Sequence, residues 1–322
     1  MVKVKDIAFG RLRSPDLDLQ EKFLTDFGMT RAARTKDKLF MRGTDPDHHI
    51  HVTELGDPAF VGIAFHAHVE EDLHTLSKGV DGASAVEEID EPGAGKRVRL
   101  TDPNGLQIEV IWGQETLDPL PVPEHRYNWG YKHYQREGEL MRVKSAPSHV
   151  KRSAHGVFLT NKLEATMKWY QDNLGFQTTD IISNPEDKTK PMAVFNHIDA
   201  PNPDEFVDHH VFLFFEGPEL RFNHLSFEVS DLDDVHTGHH HMKEQGYTHA
   251  WGVGRHYLGS QIFDYWRDPW GRIHEHWTDS DVINNQHVPS MVSPEEGLQN
   301  QWGPDFPWSF IDDPAEHATA GK

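Results

Sequence analysis

The constraint that most narrows the fold is an internal repeat. Near the start, Ile7-Ala8-Phe9-Gly10 leads into Asp16 to Leu24 and then Phe27-Gly28-Met29. Later, Ala154-His155-Gly156-Val157-Phe158 leads into Leu163 to Tyr170 and then Leu174-Gly175-Phe176. Each is a short β-type run, then apolar residues at helical spacing, then a glycine placed as a C-terminal cap. A second pair echoes the first: Ile63 to His68 before Glu70 to His74, and Leu225 to Val229 before Asp231 to Val235. Each of these reaches an Asp-Pro-x-Gly sequence, Asp102-Pro103-Asn104-Gly105 running to Glu109 and Asp268-Pro269-Trp270-Gly271 running to Glu275. Proline presets the second turn position and glycine supplies positive φ, so both predict a tight turn between strands.

The pattern predicts an α+β chain of four βαβββ modules paired into two domains, each a curved mixed sheet with outer helices. A length of 322 residues suits two domains, each large enough to bury its own core. The expected boundaries are 1–120 for the first domain and 148–282 for the second. Between them 121–147, rich in proline, tyrosine and charge, reads as a packed linker. The tail, 283–322, carries Trp302, Phe306, Trp308 and Phe310 and is expected to dock on the second domain near the site, with only 316–322 disordered.

Composition removes several classes of function. There is no cysteine, hence no disulfide framework, thiolate metal site or cysteine nucleophile. A net charge of −21, from 52 acidic and 31 basic residues, repels phosphate backbones and anionic lipid, so neither nucleic acid nor a membrane is an expected partner. No apolar run reaches membrane-span length, and the N-terminus is interrupted by charge from its third residue, so a cytoplasmic location is expected. With 24 histidines, a single one means little and only an ordered set counts.

Such a set exists. His155 opens the first strand of the third module, His224 opens the first strand of the fourth, and Glu275 lies on that module's last strand. Two histidines and a carboxylate on separate strands are a ligand set that leaves one side of an iron ion open. Around Glu275 the order is His256, Tyr265, Trp266-Arg267, Asp268-Pro269-Trp270-Gly271, Arg272-Ile273-His274, Glu275. In this the chain resembles the type I extradiol ring-cleavage dioxygenases of the vicinal oxygen chelate superfamily, departing from their pattern at Asp264, where an apolar residue is usual. The resemblance implies that His155, His224 and Glu275 bind Fe(II), with Mn(II) accepting the same ligands. It implies a catecholic aromatic substrate opened beside its vicinal diol with O2. It also implies that His210, 14 positions before His224, moves protons, with adjacent His209 as the rival, and that His256 and Tyr265 hydrogen-bond the substrate. A homo-oligomer is expected.

The repeat supplies a control. Gly62 falls at the place of His224 and Ala8 or Phe9 at that of His155, while Glu109 matches Glu275, so one metal per chain is expected, in the second domain. Histidines 239–241 fan around a helix and are expected on a solvent face, and Asp47-His48-His49 likewise carries no site. Phe195, Phe212, Phe214, Trp251, Tyr257 and Trp302 supply an aromatic environment that favours an aromatic diol. Two rival functions remain: a Lewis-acid glyoxalase-like isomerase or transferase, which adds a fourth protein ligand and consumes no oxygen, and a metal-free small-molecule-binding module.

Overall fold

A computed structural model describes residues 1–132, 134–200, 202 and 204–312. The first module runs β1 (Val4–Ser14), α1 (Leu17–Phe27), β2 (Thr30–Arg34), β3 (Lys38–Arg42) and β4 (His51–Leu55). The second runs β5 (Ala59–Ala67), α2 (Glu70–Gly79), β6 (Glu87–Glu88), β7 (Lys96–Thr101) and β8 (Gln107–Trp112). The third comprises β9 (Ser153–Thr160), α3 (Leu163–Leu174), β10 (Phe176–Ser183), β11 (Pro191–Ile198), β12 (Val207–Asp208) and β13 (Phe212–Glu216). The fourth comprises β14 (Arg221–Glu228), α4 (Leu232–Glu244), β15 (Thr248–His256), β16 (Ile262–Arg267) and β17 (Ile273–Thr278). The tail adds β18 (Val282–Ile283), β19 (Ser290–Val292), α5 (Pro294–Gly297), β20 (Asn300–Trp302) and α6 (Ser309–Asp312).

Two mixed sheets result, in the orders β2-β3-β4-β1-β5-β8-β7-β6 and β19-β10-β11-β13-β9-β14-β17-β16-β15-β20. In each, the first strands of two modules pair antiparallel at the centre, β1 with β5 and β9 with β14. Each of these pairs its module's last strand in parallel. Local chemistry explains the punctuation. Asp16 and Asp231 cap α1 and α4 through their carboxylates, and α1 and α3 end on Gly28 and Gly175 in left-handed conformation. At the two Asp-Pro-x-Gly turns, Gly105 and Gly271 have φ of 89° and 82° and each donates its N–H to the aspartate carbonyl.

The cores do not stay separate. Buried residues of both halves form one continuous cluster that includes Phe27, Phe60, Phe65, Phe158, Phe222 and Phe227. Phe60 stacks on Phe222 with ring centroids 4.4 Å apart. A side chain at Gly10 would meet the Leu225 methyl at 2.2 Å, so the sheets approach closely there and a larger residue would have to displace Leu225. Fully buried Arg272 crosses the seam, donating to the Arg13 carbonyl, Ser14 Oγ and Gln20 Oε1 while paired with Asp268. The two halves therefore share one continuous core across their seam. Strand alternation marks two faces, and here one face of each sheet is buried against the other sheet, leaving the opposite faces for sites.

The linker also departs from expectation. His125 Nδ1 meets Asp231 Oδ2 at 2.9 Å, but Tyr131, Tyr134 and Leu140 are exposed, so it packs only in part. The tail extends the second sheet at both edges through β19 and β20. Phe306 and Phe310 pack against Trp251, whereas Trp302 and Trp308 are exposed. The stretch 316–322, expected to be disordered, lies outside the described residues.

Candidate metal centre

Three adjacent strands of the second sheet, β9, β14 and β17, deliver the central residues. Ser226 pairs with His155 on one side and Glu275 on the other, and His224 pairs with Ile273. A register shift between Phe222 and His224 turns β14 over, so that Phe222 enters the core while His224 faces the opposite side. His155, His224 and Glu275 are all buried, and one ligating atom from each lies within 4.8 Å of the others. His155 Nε2 is 2.9 Å and His224 Nε2 3.4 Å from Glu275 Oε2.

The donor set fits a divalent cation. Both oxygens of fully buried Glu275 lack a hydrogen-bond partner, as does His224 Nε2. Burial pushes the Glu275 carboxyl up, but His155 and His224 outweigh it and hold the group well below the usual carboxylate range. A buried, ionised carboxylate without donors is costly unless a cation satisfies it. The tautomer of His224 follows from its neighbour. Asn223 Nδ2 donates to the Phe310 carbonyl (2.9 Å), so its Oδ1 accepts from His224 Nδ1 (2.6 Å). That leaves the His224 Nε2 lone pair facing Glu275, the orientation a metal ligand needs.

A cavity opens over His155 and His224, with Val157, Phe195, Leu213 and Phe310 among its apolar walls. Of the aromatics expected there, Phe195 and Trp251 line it. Phe212 and Phe214 instead point into the shared core, and Tyr257 and Trp302 are exposed. Strand parity explains the first pair, which stand on the core face of β13 while Leu213 stands on the cavity face.

His256 and Tyr265 also line the cavity, with His256 Nε2 2.9 Å from the Tyr265 hydroxyl. Burial pushes His256 down to about 3, and burial with Glu275 nearby raises Tyr265 well above the usual phenol value, so both stay neutral. Of the rival histidines, His210 faces the cavity, its ring centroid 4.3 Å from that of His155. His209 turns away, its Nε2 2.8 Å from Asp180 Oδ2.

The first sheet shows the repeat without the two histidines. By register Phe9 stands where His155 does, Gly62 where His224 does and Glu109 where Glu275 does. Glu109 is buried but saturated, receiving Arg11 Nε at 2.9 Å and Arg97 Nη1 at 3.1 Å.

One expectation about histidines, the solvent face of 239–241, fails, and a second cluster is buried too. His48 and His49 are buried, and they stand at the places of His209 and His210. The repeated triplet Asp47-His48-His49 and Asp208-His209-His210 was the sequence signal for this, and it would have aligned the two halves. Histidines 239–241 do not form one solvent face either. His239 Nδ1 is 3.1 Å from Asp264 Oδ2 and His241 Nε2 is 3.3 Å from Asp26, while His240 is exposed. Asp264, the departure from the family pattern, is fully buried on the strand face opposite Tyr265 and accepts from His239, His249 and Trp266 Nε1. His239, His249 and Asp264 could also hold a metal, yet unlike Glu275 this carboxylate is already satisfied by hydrogen bonds.

Residues 152–273 match the family model of the Glyoxalase/Bleomycin resistance protein/Dioxygenase superfamily. The chain is 30% identical over 306 residues to Metapyrocatechase 2 of Cupriavidus necator, covering 93% of this chain and 89% of that protein. It is 25% identical over 278 residues to the manganese-dependent 2,3-dihydroxybiphenyl 1,2-dioxygenase of Geobacillus genomosp. 3, covering 80% and 79%. The Mn(II)-bound glyoxalase of Novosphingobium aromaticivorans shares the fold, with a TM-score of 0.76, 22% identity and coverage of 96% and 94%. With its repeated modules and a match to a metapyrocatechase that runs along 93% of its length, the chain belongs to the extradiol dioxygenases of the Glyoxalase/Bleomycin resistance protein/Dioxygenase superfamily.

Proposed function

We propose that this protein opens the aromatic ring of a catechol beside its vicinal diol, using O2 and one divalent ion held by His155, His224 and Glu275. The observation that carries the reading is the pair of unpartnered Glu275 oxygens, buried under an aromatic-walled cavity. Fe(II) is the ion proposed, and Mn(II) suits the same ligands. When bound, the ion supplies Lewis acidity toward the diol oxygens and a route for electrons from the ring to oxygen.

The chain's own residues perform the rest. Val157, Phe195 and Leu213 hold the ring face and exclude water. Tyr265, kept as a phenol, donates through its hydroxyl toward charge developing on the substrate oxygen. His256 keeps that hydroxyl in place. His210 takes the proton of the diol on its cavity-facing edge and returns it later in the cycle. A glyoxalase-type chemistry would call for a fourth protein donor. His256 stands 3.9 Å from Glu275 Oε1, but its Nε2 is engaged with Tyr265.

The test is anaerobic loading with Fe(II) or Mn(II), addition of a panel of catechols, and then air. Oxygen uptake with a new visible band from a ring-opened semialdehyde is expected. A silent panel with a fully loaded site would overturn the reading.

A further inference from the structure

The mechanism above asks His210 to accept a proton at its cavity-facing nitrogen, and the residues behind it decide whether that nitrogen is free. Asp180 on β10 is buried and accepts twice from Ser290 on Oδ1, from Oγ at 2.6 Å and from the backbone N–H at 3.2 Å. Its Oδ2 lies 2.8 Å from His209 Nε2. Thr179 Oγ1 anchors the same residue by donating to the His209 carbonyl at 2.7 Å. His209 Nδ1 is in turn 3.0 Å from His210 Nδ1, with the two rings nearly perpendicular at 87°.

Only one proton arrangement satisfies this chain with neutral imidazoles. A carboxylate accepts, so His209 carries its proton on Nε2 and keeps a lone pair on Nδ1. His210 must then donate from Nδ1, which leaves its Nε2 lone pair uncommitted. We propose that Asp180, acting through His209, is a positioning residue that sets the tautomer of His210 and so makes it a proton acceptor toward the substrate. This rests on the ring-cleavage reading for its use, though not for its geometry.

The first half of the molecule separates architecture from function here. His48 Nδ1 and His49 Nδ1 are also 3.0 Å apart, with rings at 88°, so the paired histidines belong to the repeat itself. Phe40 stands beside His49 as Phe195 stands beside His210. The strand pairing opposite those phenylalanines places Ala33 where Asp180 is. The half with Phe9 and Gly62 in place of the ligands thus also has no carboxylate at this position.

Two measurements test it. Imidazole ¹⁵N shifts of the metal-free protein, assigned with His209→Phe and His210→Phe, are expected to report His210 protonated on Nδ1. In Asp180→Asn that preference should be lost. A wild-type His210 protonated on Nε2, or a tautomer that Asp180→Asn leaves unchanged, overturns the proposal. In the metal-loaded enzyme, Asp180→Asn should lower kcat about 10- to 100-fold with KM and metal content unchanged. Placed in the His210→Phe background, it should cost nothing further. An equal loss in both backgrounds would make Asp180 merely structural and overturn the proposal. If the tautomer is as expected while wild type cleaves no catechol, the ring-cleavage reading falls and the relay stands.

Discussion

The two sheets are built from the same modules, yet they treat a buried glutamate in opposite ways. Glu109 is surrounded by donors from Arg11 and Arg97, so its charge is neutralised by the protein itself. Glu275 receives no hydrogen bond and is flanked instead by two histidines. The first arrangement is closed and the second calls for a cation. Nor is the first site a small step from the second. A side chain at Gly62, the counterpart of His224, would meet the Gln107 carbonyl at 2.4 Å, so a histidine there requires backbone movement. The difference teaches that the turn, the last strand and its glutamate are architecture, and that the residues facing the glutamate decide whether its charge is neutralised by the protein or left to a cation.

The largest effect should come from the glutamates themselves. Glu275→Gln is expected to strip the ion and lower turnover by more than about 10³-fold, read by metal analysis and oxygen uptake. Glu109→Gln should leave metal content intact while destabilising the fold by about 3–5 kcal/mol in urea titrations, because Arg11 stays buried without its main partner. Loss of metal from Glu109→Gln would break the comparison.

The paired histidines come next. His210→Phe should reduce kcat by about 10²- to 10⁴-fold with the metal retained, the range expected for a lost general acid–base group. His49→Phe, at the matching place, should leave kcat unchanged. Removing one donor costs less again: Tyr265→Phe is expected to lower kcat about 10²-fold, and an unaffected kcat would remove Tyr265 from the chemistry.

The smallest effect is on acid stability. His51 sits at the seam of the halves, its Nε2 3.2 Å from that of His274, and burial followed by the His274 and Arg272 charges holds it well below 6.5. A depressed histidine is neutral in the fold but protonates when unfolded. Its contribution is therefore fully present above pH 6.5 and is lost as pH falls from there toward its folded value, by up to about 1.4 kcal/mol per pH unit. Urea midpoints of the metal-free protein between pH 7 and pH 5 should show this slope. His51→Phe, which copies Phe212 at the equivalent place, should reduce the slope by its one-proton share while the other buried histidines keep the rest.

Much of this was legible along the chain because it is local. The helix caps, the Asp-Pro-x-Gly turns and the four modules depend on neighbours within a few positions. His155, His224 and Glu275 could be picked out because the family resemblance implied them and the repeat gave each a place on a strand. Other features were hidden for a physical reason. Phe212 and Phe214 alternate with Leu213, and alternation separates two faces without saying which one meets the other sheet. Asp264 looked like a blemish until His239 and His249, from other elements, came to lie beside it.

The sequence by itself determined the modules, their order and the chemical types available at the centre, since strand, turn and cap preferences act over short distances. Only the tertiary structure decided which of 24 histidines converge and which face of each sheet is left open. It also decided that Asp180 and His209 stand behind His210. Those outcomes depend on two sheets burying one face against each other, a long-range event whose register no local pattern encodes.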